Sequence, residues 1–213
     1  GGKNTVSYSG AAAGVTVDLG ITAAQNTGDG NDTLLNFSNL TGSSQDDILK
    51  GNNNSNIIKG GNGADIIYGI GGSNFLYGES GNDTFIGKVA GSDFIDGGAG
   101  SNKVDYSSLT QANSITVNLG TTTTFNDENS VSQTVYQISI NGGGSDYVKD
   151  IAIFEGSAGN DKFTVKSGNF ELIGGAGNDT FDGATFTGVK IDGGIGRDRK
   201  STRLNSSHLY TSR

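Results

Sequence analysis

The sequence predicts an all-β protein built from short stacked repeats, and three observations carry that prediction. A Gly-rich unit of nine residues recurs from Gly42, with Asp or Asn at its sixth place and a large apolar residue at its eighth. Glycine supplies 37 of the 213 residues, roughly 17% against an average near 7%. Glycine near every ninth residue breaks helical runs, and no apolar pattern of period 3.6 is sustained, so no helix is expected. A nine-residue unit cannot bury an apolar face alone; stacking on its neighbours gives it a continuous core.

Residues 1–41 read as a flanking β segment with NTVSYSG, VTVDLG and DTLLNFSNLTG, in which Val15, Val17 and Leu19 alternate as in a short half-buried strand. Residues 42–105 hold the repeats GSSQDDILK, GNNNSNIIK, GGNGADIIY, GIGGSNFLY and GESGNDTFI, then a ten-residue GKVAGSDFID and GGAGSNKVD. The first five place Asp47, Asn56, Asp65, Asn74 and Asp83 sixth, and Leu49, Ile58, Ile67, Leu76 and Phe85 eighth.

Residues 106–155 form a second flank. NKVDYS at 102–107 and ITVNLG at 115–120 repeat the first flank's series, and DYVKDIAIFEGS at 146–157 matches DTLLNFSNLTGS at 32–43 with a constant offset of 114. The second copy is longer by FNDENSVSQTVYQISINGGGS at 125–145, where Tyr136, Ile138 and Ile140 alternate with polar residues. Residues 156–197 hold a second, partial run in which Asp161 and Asp179 stand 18 apart, with Phe170 at the sixth place of the block between them. From Asp198 to His208, DRKSTRLNSSH resembles the translation of sequencing adapter DNA, so residues 198–213 are set aside as a non-native tail.

Composition narrows the function. Hydrophobic residues make up 32% of the chain, too few for a large packed core. The formal net charge is −8; the tail holds four of the 14 basic and one of the 22 acidic residues, so without it the net charge is −11. That sign argues against nucleic acid as a partner. There is no cysteine, hence no disulfide and no thiolate, and bound metal is the natural substitute as a cross-link. No apolar run is long enough to span a membrane. The opening GGKNTVSYSG resembles the middle of a repeat, so a longer polypeptide is expected. With His208 in the tail no histidine remains, which removes Ser–His–Asp, Cys–His and His-ligated zinc sites and predicts a non-enzymatic stretch. Adjacent Asp46 and Asp47 read as metal-ligating or solvated turn residues rather than an acid–base pair.

GGNGADIIY, GESGNDTFI, GGAGNDTFD and GSAGNDKFT resemble the repeats-in-toxin (RTX) consensus Gly-Gly-x-Gly-x-Asp-x-U-x, with U large and aliphatic. The resemblance implies a right-handed parallel β-roll, a β-solenoid in which each block is one turn plus one short strand and two blocks make a coil. It also implies several Ca²⁺ ions between stacked turns. Their ligands would be Asp47, Asp65, Asp83, Asp93, Asp161 and Asp179, with backbone carbonyls near Gly61, Gly63, Gly81, Gly175 and Gly177. The expected setting is extracellular: a chain of bacterial origin exported unfolded in one step and folding where calcium is plentiful. It would be joined to other domains of an adhesin-like protein or, alternatively, would be the C-terminal secretion and folding domain of an exoenzyme such as a protease, lipase or polysaccharide-modifying enzyme.

Two blocks per coil divide the sixth positions into two columns, Asp47–Asp65–Asp83–Asn102 and Asn56–Asn74–Asp93. Coils stack about 4.8 Å apart, where unit charges repel by about 1 kcal/mol in water and about 3.5 kcal/mol at an effective dielectric of 20. Calcium is therefore expected on the 47–65–83 edge, with a weaker or empty edge at 56–74–93 where Asn could form an amide ladder. The ten-residue block 87–96 is expected to shift Asp93 out of register. Seventh-position Ile48, Ile57, Ile66, Phe75 and Phe94 point outward and are expected to be covered by the flanks or a neighbouring module, or else to form an adhesive face.

Overall fold

The computed structural model describes residues 3–183, 187–202 and 210–211. Among these there is no helix, and none long and apolar enough to cross a membrane. The chain winds as a parallel β-roll between a sheet of eleven strands and a sheet of nine, with a separate two-stranded ribbon, Gln25–Asn26 and Asn31–Asp32, in the first flank.

Each block contributes one short strand, and successive blocks alternate between the sheets. Ile48–Lys50, Ile66–Tyr68, Thr84–Ile86 and Lys103–Asp105 follow one another in the nine-stranded sheet, while Ile57–Asn62, Phe75–Ser80 and Phe94–Asp96 do so in the eleven-stranded sheet. Neighbours pair in parallel with a shift of 18 residues, as in Leu49↔Ile67 and Ile58↔Leu76, or of 19 across the ten-residue block, as in Phe85↔Val104. Strand alternation turns every eighth position inward. Leu49, Ile58, Ile67, Phe85, Val104, Phe163, Leu172 and Phe181 are all fully buried, a stacked file of side chains one or two residues wide.

The ten-residue block does not break this register. Phe94 pairs with Phe75 and Ile95 with Leu76, so the extra residue is taken up in the turn before Asp93 and that side chain stays in its column. The expectation that Asp93 leaves the register is overturned, because the strand ladder holds both ends of the block and only its turn is free to lengthen.

The second flank adds three strands to one sheet and one to the other. In the nine-stranded sheet Lys103–Asp105 pairs directly with Ile153–Glu155. In the other, Phe94–Asp96 pairs with Ser145–Lys149, which runs antiparallel to Ser132–Ile140; that strand pairs with Ile115–Asn126, which in turn pairs in parallel with Lys162–Val165. Both repeat runs thus belong to the same pair of sheets. Tyr136, Phe154 and Phe170 meet edge to face beside the insertion, with ring centroids 6.0 Å apart in both contacts.

Past a register shift between Asn118 and Thr123, the insertion becomes an arm lying on the outside of the eleven-stranded sheet. Phe125 stacks on Tyr147 at 4.4 Å and on Phe94 at 5.8 Å. At the arm's tip, Glu128 and Asn129 line a pocket with Thr5, Thr41, Ile57 and Lys59. The flank therefore covers the outward residues of this sheet: Phe94 is buried, and Ile57 and Phe75 are half-buried. On the other sheet Ile48 remains 36% exposed and Ile66 is half-buried.

Candidate metal centre

Each Asp and Asn column is threaded by the same hydrogen bond, in which a backbone N–H donates to the side-chain oxygen of the next coil. On the first edge Asp47 N donates to Asp65 Oδ1 (2.8 Å), Asp65 N to Asp83 Oδ1 (2.9 Å) and Asp83 N to Asn102 Oδ1 (2.9 Å). On the opposite edge Asn56 N donates to Asn74 Oδ1, Asn74 N to Asp93 Oδ1 and Asp93 N to Asp146 Oδ1, at 2.8–2.9 Å. In the second run Asp161 N donates to Asp179 Oδ1 (2.8 Å) and Asp179 N to Asp198 Oδ1 (3.0 Å). The Asn residues accordingly stack through backbone donors and not as an amide ladder; only Asn74 Nδ2 reaches the next side chain, at Asp93 Oδ1 (3.0 Å).

What separates the positions is the second carboxylate oxygen. Oδ2 of Asp65, Asp83 and Asp179 is buried with no hydrogen-bond partner. Each lies against the first glycine of its own block. A methyl built on Gly60 would be 2.2 Å from Asp65 Oδ2 and 2.9 Å from Gly78 O; on Gly78, 2.2 Å from Asp83 Oδ2 and 2.7 Å from Gly97 O; on Gly174, 2.3 Å from Asp179 Oδ2 and 2.5 Å from Gly193 O. Only glycine fits there. A carboxylate oxygen and a carbonyl oxygen face one space with no proton between them, within about 5 Å of each other, the span a cation with Ca²⁺–O bonds of about 2.3–2.6 Å bridges. Without a cation, burial pushes the carboxyls of Asp65 and Asp179 up to about 7, the charges of neighbouring Asp residues adding to it, and it raises Asp83 as well.

Asp47 and Asp161, which open the two runs, are satisfied differently. Asp47 accepts from Ser43 N (2.6 Å), Ser43 Oγ (2.8 Å) and Val15 N (2.7 Å). Asp161 accepts from Ser157 N (2.6 Å), Ser157 Oγ (2.8 Å) and Ile115 N (2.6 Å). These two close the ends of the columns, and the shared Gly-Ser at the head of each block was the signal for it.

Gly61, Gly63, Gly81, Gly175 and Gly177 all have positive φ and sit in the turns. Gly63 O lies 1.7 Å from a methyl built on Gly81, and Gly177 O 1.5 Å from one on Gly196. Their carbonyls line the seam over which the next turn stacks. The carbonyls beside the free carboxylate oxygens belong instead to the block-leading Gly78, Gly97 and Gly193, which the sequence reading missed. Among the described residues no three His, Cys, Asp or Glu side chains converge; each step offers one carboxylate and main-chain oxygens.

The sequence pattern of one known family, the RTX calcium-binding nonapeptide repeat, matches this chain in four copies, at residues 41–72, 71–88, 90–108 and 155–187. These are RTX repeats. No curated protein matches the chain. RTX nonapeptide repeats bind Ca²⁺, and the matched copies contain all three carboxylates whose Oδ2 is unpartnered.

The two RTX runs carry their Asp columns on opposite edges. Asp47, Asp65 and Asp83 stand in turns that lead into the nine-stranded sheet, whereas Asp161, Asp179 and Asp198 lead into the eleven-stranded sheet. The other edge of the second run holds Phe170 and Val189, packed against the core. Asp198 lies one residue beyond the boundary set at 197, yet it continues the column, and Arg199–Thr202 pairs with Thr180–Gly183. GGIGRD, read to its sixth place, would have identified it.

Proposed function

We propose that the chain is a calcium-folded structural module of a larger secreted protein, with Ca²⁺ held at Asp65, Asp83 and Asp179 and by the facing glycine carbonyls, and with Asp47 and Asp161 ordering the ends of the two columns. The observation that carries this is the recurrence, at equivalent steps of both runs, of a buried carboxylate oxygen with no hydrogen-bond partner. The same groups that need the ion also hold consecutive coils together, so binding energy becomes folding energy. Far-ultraviolet circular dichroism at about pH 8, with chelator and with millimolar calcium, tests it: a β spectrum only with calcium is expected there, and a fully folded, calcium-indifferent chain would overturn it.

Within that reading a non-catalytic spacer of an adhesin-like protein is favoured over the secretion and folding domain of an exoenzyme. The support is duplication with continuity: Tyr8 donates to Asp32 Oδ2 (3.0 Å) in one flank and Tyr106 to Asp146 Oδ2 (2.6 Å) in the other, while the nine-stranded sheet runs past the junction. A unit that repeats without breaking the roll suits a rod. An HExxH or GxSxG motif in adjoining coding sequence would favour the exoenzyme instead.

A further inference from the structure

The 56–74–93 edge has the same backbone geometry as the calcium edge and neutralises it from within. Asp93 resembles Asp65 and Asp83 in committing Oδ1 to the preceding coil, through Asn74 N (2.8 Å) and Asn74 Nδ2 (3.0 Å). Its Oδ2 is not free. It forms an ion pair with Lys88 Nζ, and the two side chains are only 14% and 5% exposed. Lys88 comes from the ten-residue block, the one whose turn lengthens while its strand keeps register.

Two neighbours complete the closure. A methyl built on Gly87 would lie 2.1 Å from Tyr106 Cδ1, so an aromatic ring fills the space that a carboxylate oxygen fills beside Gly78. The Tyr106 hydroxyl donates to Asp146 Oδ2 (2.6 Å), and Asp146 Oδ1 accepts from Asp93 N (2.9 Å). Further along the edge, Asn56 Nδ2 donates to Ser38 O (2.7 Å) and Asn74 Nδ2 to Gly71 O (3.0 Å). Ammonium, phenol and amide protons point at carboxylates and main-chain carbonyls throughout this edge.

We propose that Lys88 is a built-in counter-ion: its ammonium does at Asp93 what Ca²⁺ does at Asp65 and Asp83, so this edge closes without metal, and removing the ammonium opens a further Ca²⁺ site at Asp93 and Asp146. The inference rests on the calcium reading of the opposite edge. Its physical basis is that two buried carboxylates in consecutive coils require positive charge, and hard oxygen donors take Ca²⁺ once the lysine is gone.

Calcium bound per chain, measured on the full chain by equilibrium dialysis with elemental analysis, tests it. Asp93→Asn should leave the count of the unsubstituted protein unchanged, Asp65→Asn should lower it, and Lys88→Ala should raise it by one ion, an increase abolished in Lys88→Ala/Asp93→Asn. Loss of an ion in Asp93→Asn, or a folded Lys88→Ala with no gain, overturns the proposal while leaving the calcium module intact. If Lys88→Ala does not fold in excess calcium, the Asp93→Asn count decides. No calcium on the unsubstituted chain defeats both readings.

Discussion

The two edges of the first run differ in what answers the same electrostatic demand. On both, a sixth-position oxygen is bonded to the preceding coil and a turn is packed tightly over the next. On one edge Asp65 and Asp83 present a second oxygen with no proton to meet it; on the other, Asn56 and Asn74 bring their own amide protons and Asp93 meets Lys88. The comparison teaches that the repeat's backbone is indifferent to metal. Whether a given step needs an ion depends on whether the chain supplies a proton or an ammonium there.

The largest effect that could break this comparison is removal of calcium altogether. Chelation at about pH 8 should abolish most of the β signal, read by circular dichroism, with any remaining structure centred on the Lys88–Asp93–Asp146 junction; protection of that junction in hydrogen exchange would sharpen the contrast. Next, Asp65→Asn should raise the calcium concentration needed for folding by about tenfold, equivalent to about 1.4 kcal/mol, whereas Asn74→Ala should leave that midpoint nearly unmoved. A comparable shift in both would erase the distinction between the edges.

The pH dependence follows from the raised carboxyls. In the metal-free fold Asp65 and Asp179 keep their protons up to about pH 7, while in the unfolded chain they lose them near the ordinary value of about 4. Their contribution to apo stability is full below about pH 4 and is lost as pH rises through about 7. Structure in chelator should therefore fall between pH 5 and 8, and excess calcium should flatten that fall because the ion replaces the protons. A thermal melt series at each pH reads this, and a metal-free fold that grows more stable toward pH 8 would contradict it. The smallest change is Asn74→Asp, which puts a second carboxylate beside Asp93 and should lower stability in chelator by about 1 kcal/mol, with calcium restoring it; a melt insensitive to the substitution would show that the edge tolerates unneutralised charge.

Much of the centre was legible in the order of residues. With two blocks per coil, as the RTX resemblance implies, a spacing of 18 placed Asp47, Asp65 and Asp83 in one column, and period-two alternation turned the eighth positions Leu49, Ile67 and Phe85 into one core. The ten-residue block was misjudged because counting treats an extra residue as a shift, whereas the Phe75–Phe94 pairing confines it to a turn. Cover of Phe94 by a flank was expected, but that Phe125 supplies it was out of reach, since the contact joins residues 31 apart through a hairpin whose bend depends on the shift between Asn118 and Thr123.

By itself the sequence determined a stacked all-β roll, its inward file and the chemistry of its sixth positions, all of which are local and periodic. Only the tertiary structure decided which carboxylate oxygens stay unpaired, that Lys88 reaches Asp93, and that the Asp column changes edge between the runs. The reason for the last is topological. The second flank adds three strands to the eleven-stranded sheet and one to the nine-stranded sheet, so which sheet the next Asp turn enters depends on how the chain crosses the junction, and no count of residues within a repeat contains that information.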